Sequence, residues 1–311
     1  MKLPGKLSNL LKNEEFQFKV DTALKFVLIS MGFCSSVLLF TYLLLKIDLL
    51  YFVENGYSGA SEFQETYYQF IFSSLLDGVP YLIGAMFLIF ILGFHLSSVM
   101  IRPFKKIGNY CEERLSKNNK SFYSPDYFSD LKLLTSFSVF FFTHIDDAKT
   151  RGKLIRVDVP NDFTRIHKPV FEKNFFINYL FIIVIFALLA SVGILVMNNI
   201  IREQVFAFSQ KLLSNAHLPG GRGIRYFIEE QFSVADIAVY FLLVLHILTY
   251  FIFGIHLFSK VSGPAFAIFA TMRSFLKGNY HNRVHLIGYS YLRDDCRKIN
   301  KYLDSIQKEL T

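Results

Sequence analysis

The 311-residue chain has no tryptophan and only three cysteines. Without tryptophan, the aromatic belts that mark membrane surfaces would fall to Tyr and Phe, with Tyr42, Tyr51, Tyr81, Tyr179, Tyr240 and Tyr250 as candidates. Cys34, Cys111 and Cys296 have no metal-ligand spacing and imply no disulfide framework, so they read as small apolar side chains. Charge is missing altogether from residues 26–45, 79–101, 174–201 and 237–259. Each run reaches the roughly 20 residues that cross a ~30 Å hydrocarbon layer at 1.5 Å per residue. Soluble core helices rarely run so long without a charge, so the sequence predicts four transmembrane helices. The first is longer than the apolar part of a signal peptide and lacks a small-x-small cleavage site after it, which makes it a retained span.

Catalytic constellations are missing too. There is no nucleophile–base pair, no paired histidine ligands and no kinase or cyclase signature. The sequence therefore predicts no enzyme, no cofactor and no metal. His281 and His285 are four apart but fall in an extended connector, which is poor geometry for a metal. Pro219-Gly220-Gly221-Arg222-Gly223 is glycine-rich, but no strand precedes it, so it reads as an outward turn and not a phosphate cradle.

What the chain does have is positive charge in a particular place, with a net charge of +8. Residues 46–78 carry Asp48, Glu54, Glu62, Glu65 and Asp77 against a single base, Lys46. Residues 102–173 carry fourteen bases and nine acids, and residues 260–311 nine bases and four acids. Lys2, Lys6, Lys12, Lys19 and Lys25 precede the first span. Bases mark the cytoplasmic side, so both termini and the middle loop are placed there and two short loops face outward. The basic flanks suit anionic lipid. They are spread over several segments, which argues against a nucleic-acid partner.

The second span ends Gly93-Phe94-His95-Leu96-Ser97-Ser98, with Pro103 five residues on; the fourth ends Gly254-Ile255-His256-Leu257-Phe258-Ser259, with Pro264 five residues on. Both read G-x-H-L-x-S-x-x-x-x-P. Phe16 and Phe171 precede the first and third spans as a weaker echo. The chain thus reads as a parallel duplication, not the inverted kind common in transporters.

After Pro264 come Ile268, Met272, Phe275 and Leu276 at helical spacing, with the proline placed in the first turn. Gly278-Asn279-Tyr280 is a helix stop. A connector at 282–293 carries Val284 and Leu286. Asp294-Asp295 then opens a helix whose apolar residues Cys296, Ile299, Leu303, Ile306 and Leu310 step by three and four, the seam of a knobs-into-holes bundle. This order resembles the HAMP linker domain of bacterial transmembrane receptors and histidine kinases, over about fifty residues. The connector is longer, and the acidic pair is Asp-Asp where the family usually has Asp-Glu. The first copy is more diverged. Pro103, Phe104, Ile107, Cys111 and Leu115 lead to Lys117-Asn118 in place of the glycine, then Pro125. From Asp130 a seam of Leu131, Leu134, Ser138, Phe141, Ile145 and Ala148 follows. Residues 152–173 return the chain to the membrane, and Ile155, Val157 and Val159 alternate as a short strand would.

The expected architecture is an all-α membrane protein: four transmembrane helices in two tandem TM-TM-HAMP-like repeats over a cytoplasmic parallel helical bundle. Its divisions are 1–25 (N-terminal segment), 26–101 (first transmembrane hairpin), 102–151 (first HAMP-like repeat), 152–173 (linker), 174–259 (second hairpin) and 260–311 (second repeat). The resemblance implies a bacterial inner membrane. It also implies a four-helix bundle formed either by the two copies of one chain as a pseudo-dimer or by a true homodimer. No output domain is expected after Leu310, and loops of thirty to forty residues are too small for a sensor module.

The expected role is a non-catalytic signal relay or regulatory subunit coupled to a membrane or cytoplasmic protein partner. A structural accessory of a larger membrane complex is the alternative. A small-molecule transporter fits less well. Relay and packing candidates are Pro103, Pro264, Gly278, Asp294, Ile299, Leu303, Ile306, His95 and His256. The two histidines read either as a symmetric pair meeting at the bundle axis or as polar residues at helix ends. His246, mid-span, reads either as a functional intramembrane ionisable residue or as an interhelical hydrogen-bonding group.

Overall fold

A computed structural model describes residues 13–54, 60–116, 123–125, 131–164, 172–215 and 221–310. Lys117, Asn118, Asp130, Phe171 and the Pro219-Gly220 turn lie outside them. All regular structure among the described residues is helical: α1 (Glu14–Glu54), α2 (Ala60–Leu115), α3 (Lys132–Arg151), α4 (Asn161–Thr164), α5 (Lys173–Asn215), α6 (Gly221–Leu276), a 3-10 turn (Ser290–Leu292) and α7 (Arg293–Leu310). Four helices, α1, α2, α5 and α6, are long and apolar enough to cross a membrane.

The chain packs as two compact units. One takes Leu24–Ile91 and Ile183–Ile252, the apolar halves of the long helices. Its core joins Cys34 and Val37 of α1, Ile194 of α5, and Val239 and Leu243 of α6, with Leu82 and Met86 of α2 against them. Leu28, Leu39, Ile83, Phe87, Leu189, Phe241 and Ile252 face outward and exposed. Helices apolar on every face, with so much exposed apolar surface, belong in lipid.

Hydrogen bonds between helices fix this unit. The Ser30 hydroxyl donates to Tyr250 Oη at 2.7 Å, and Tyr250 Oη donates to the Phe26 carbonyl at 2.8 Å. His246 Nδ1 lies 3.0 Å from Ser191 Oγ. Two of the tyrosines expected at membrane surfaces therefore have other work: Tyr250 and Tyr179 are buried. The outward segments also differ from expectation. α1 runs on to Glu54 and α2 begins at Ala60, so most of 46–78 is helix and not loop. Gly221–Gly223 likewise opens α6. Charges read as loop because helices carry them wherever they leave the hydrocarbon. Asp48, assigned to the loop, is buried on α1 and lines a small cleft with Asn198, Arg202 and Asp236. Arg202 and Asp236 pair there at 2.9 Å.

The other unit takes Met1–Ala23, Leu92–Ile182 and Phe253–Thr311. α1 starts on Asn13, whose Oδ1 accepts the amides of Glu15 and Phe16 at 2.9 and 3.3 Å. Side-chain oxygens satisfy these orphan donors at helix starts. The core is aromatic. Phe137 of α3 lies 4.4 Å from Phe269 of α6, and Phe142 lies 4.5 Å from Tyr110 of α2 and 5.9 Å from Tyr302 of α7. Residues 154–160, expected as a short strand, form none. The Leu154 amide donates instead to the Leu310 carbonyl at 3.4 Å, and Val157 to the Leu276 carbonyl at 3.0 Å. The segment thereby fills acceptors that helix ends leave open.

Candidate functional site

The junction below the fourth span holds most of the candidate residues. Pro264 was expected in the first turn of a new helix. It lies instead deep inside α6, which continues to Leu276. A proline within a helix removes one N–H, leaving the carbonyl four residues back without its donor. That carbonyl belongs to Lys260, and it accepts the Tyr291 hydroxyl at 2.6 Å. The Tyr291 ring stacks on Phe18 of α1 at 4.0 Å. Tyr289 sits beside it with Lys260 Nζ over its ring at 5.6 Å, and its hydroxyl crowds Gly263. A hydroxyl from the connector thus does the work of the missing amide, and this lets the helix pass through the proline. Pro103 is likewise buried inside α2.

Gly278 ends α6 as the stop signal implied. Its φ is +100°, a left-handed conformation open to glycine. Its amide donates to the Phe275 carbonyl at 3.0 Å and the Asn279 amide to Ser274 at 3.1 Å, the paired bonds of a Schellman cap. The connector then lies along α7. The Asn300 side chain accepts the Val284 amide at 2.8 Å and donates to the Val284 carbonyl at 3.0 Å. Arg283 binds Asp304 at 2.7 Å and Gln307 at 2.6 Å.

On α7, Asp294 is exposed and reaches Lys298, 3.5 Å away. Ile299, Leu303 and Ile306 are fully buried. The buried Tyr302 extends that face and was missed, because a strict three-four seam has no place for it. Asp295 is buried as well. It meets α2 where Gly108 has no side chain: a Cβ on Gly108 would stand 2.6 Å from Asp295 Oδ1 and 3.1 Å from its Cα. Burial pushes the Asp295 carboxyl up to about 6, Lys298 and Lys105 pull it down, and Glu15 and Asp294 push it further up. His95 and His256 are both exposed, away from any core axis.

One residue that sequence reasoning missed holds the start of α3. Glu172 accepts the amides of Leu134 at 2.7 Å and Leu133 at 3.2 Å. It is buried, in a left-handed turn at φ 60°. Burial raises its carboxyl above the usual range, against the three backbone amides that lower it.

Burial itself repeats along the chain. Pro264 follows Pro103 by 161 residues, and the same interval links buried pairs on both sides of the connector. Met100 matches Val261, Ile107 matches Ile268, and Cys111 matches Met272. Leu131 matches Leu292, Phe142 matches Leu303, and Ile145 matches Ile306. The interval holds across all of these pairs, so the connector between the helices has the same length in both halves. Between the first and third spans the interval differs: Phe26 matches Ile183 and Val37 matches Ile194, both 157 apart, against the 155 of the Phe16 and Phe171 echo.

No family model matches the chain, and neither does any curated protein or solved structure.

Proposed function

We propose that this chain is a non-catalytic signal relay or regulatory subunit of a membrane, built on an intramolecular pair of HAMP-like copies. The observation that carries the reading is the contact set between the two halves. α3 meets α6 through Phe137–Phe269 and Phe141–Phe275, and meets α7 through Phe142–Tyr302 and the 3.0 Å ion pair Lys149–Glu309. α2 meets α7 through Gly108–Asp295 and the 2.8 Å pair of Lys298 with Glu112. In every pair of helices the numbers rise together, which supports a parallel bundle. The unbroken 161-residue interval supports two equivalent copies. Such a bundle couples a partner to the spans if it has two packings and the partner binds one better. Membrane lipid and one protein partner complete the system, with both termini on the cytoplasmic side.

The test begins with Lys149→Cys and Glu309→Cys together and a short bis-maleimide. The native cysteines are buried and react poorly. Co-expressing two tagged versions separates cross-links within a chain from those between chains. Cross-links only between chains would overturn the pseudo-dimer. Partners are then captured in mild detergent, and cross-link yield is compared with and without them. A relay changes yield when its partner binds. A fixed accessory subunit binds its partner with the yield unchanged, and that result would replace the relay reading.

A further inference from the structure

The connector before α7 lines an open cavity of about 330 Å³ that the relay reading does not use. Its polar lining includes His285, Ser290, Arg293 and Arg297. Arg293 reaches Glu14 at 2.9 Å. Arg297 is exposed and makes no ion pair among the described residues. Asn300 is committed to Val284, so the connector wall is pinned. Between the lining residues Leu286 and Gly288 comes Ile287, 94% exposed, with Gly288 in a left-handed conformation.

The height of this cavity follows from its neighbours. Lys260 is the first charge after the charge-free run 237–259, so it marks the membrane surface. Tyr291 bonds the Lys260 carbonyl and Tyr289 lies under the Lys260 ammonium. The connector end is therefore held at the headgroup level, where tyrosine is favoured. An exposed isoleucine is unremarkable in water. At a lipid surface it has an apolar phase to enter.

We propose that this cavity binds the phosphate of an anionic phospholipid headgroup. Arg297 and Arg293 contact the phosphate oxygens, His285 and Ser290 complete the lining, and Ile287 enters the acyl boundary. The guanidinium fork suits phosphate. The cavity volume falls within the range of small-ligand sites. The site joins the connector to the bilayer directly, independently of whether the two copies relay a signal.

The test uses the full chain in mild detergent, titrated with phosphatidylglycerol or phosphatidylcholine and read by native mass spectrometry. Wild type should retain phosphatidylglycerol in preference. Arg297→Gln should weaken that retention roughly fivefold, the worth of one surface cation. Ile287→Ser should weaken retention of both lipids. Lys301→Gln, an equal loss of charge from another exposed position of α7, should change little. Equal losses for Arg297→Gln and Lys301→Gln would overturn the site in favour of general attraction. Competition by millimolar inorganic phosphate as effective as by the lipid would replace the headgroup with a soluble anion.

Discussion

Substituting Tyr291→Phe removes one oxygen and tests why α6 survives its proline. The ring stays, and with it the 4.0 Å stack on Phe18. Only the hydroxyl that donates to Lys260 at 2.6 Å is lost. A half-buried carbonyl left without a donor costs about 1–3 kcal/mol. In a Pro264→Ala background the backbone regains an N–H four residues from Lys260, which can supply the same bond. There Tyr291→Phe should cost close to nothing. The double-mutant cycle should therefore show coupling of about 1–2 kcal/mol, a factor of roughly 5–30 in the unfolding constant. Denaturant unfolding in mild detergent, followed by circular dichroism, measures it, since the chain lacks tryptophan. Equal losses in both backgrounds would refute the reasoning, because the hydroxyl would then serve something other than the proline's orphan.

Asp295→Asn should alter the dependence of stability on pH. The folded carboxyl is raised to about 6, so its charge opposes folding above that pH, and the penalty fades as pH falls toward 4. The variant should be more stable than wild type above pH 6, by up to roughly 3 kcal/mol, with the gap closing near pH 4; parallel stability curves would exclude this. Gly108→Ala should destabilise by about 1–3 kcal/mol, since its methyl meets the α7 backbone, whereas Gly32→Ala, with open space around it, should be near neutral in the same melt. Glu172→Ala leaves amides at the start of α3 without their acceptor and should cost about 1–3 kcal/mol. Hydrogen exchange at Leu133 and Leu134 should rise above that of the rest of α3; uniform exchange would deny the cap.

The spans were legible because hydrocarbon admits no charge, and four charge-free runs leave few other readings. Their ends were not. Glu54 and the acids near it look like loop in sequence, yet a helix in water carries such residues freely. Pro264 misled in the same way: a helix normally begins at a proline, and only a distant Tyr291 lets one continue. The α7 seam was legible from Ile299, Leu303 and Ile306, whose spacing follows from helix geometry. Glu172 was not, because its partners lie 38 and 39 residues earlier. Tyr250 shows the limit of composition, since a tyrosine suits a membrane surface and a buried interhelical bond equally well.

The segment between α3 and α4 has a mechanical consequence. Leu154 is bonded to the end of α7 and Val157 to the end of α6, at 3.4 and 3.0 Å. Sliding one helix past the other by a single residue's rise of about 1.5 Å would stretch at least one bond beyond hydrogen-bonding range. The segment acts as a height gauge between α6 and α7. It resists piston-like motion between α6 and α7 and leaves rotation about their axes the less restrained movement.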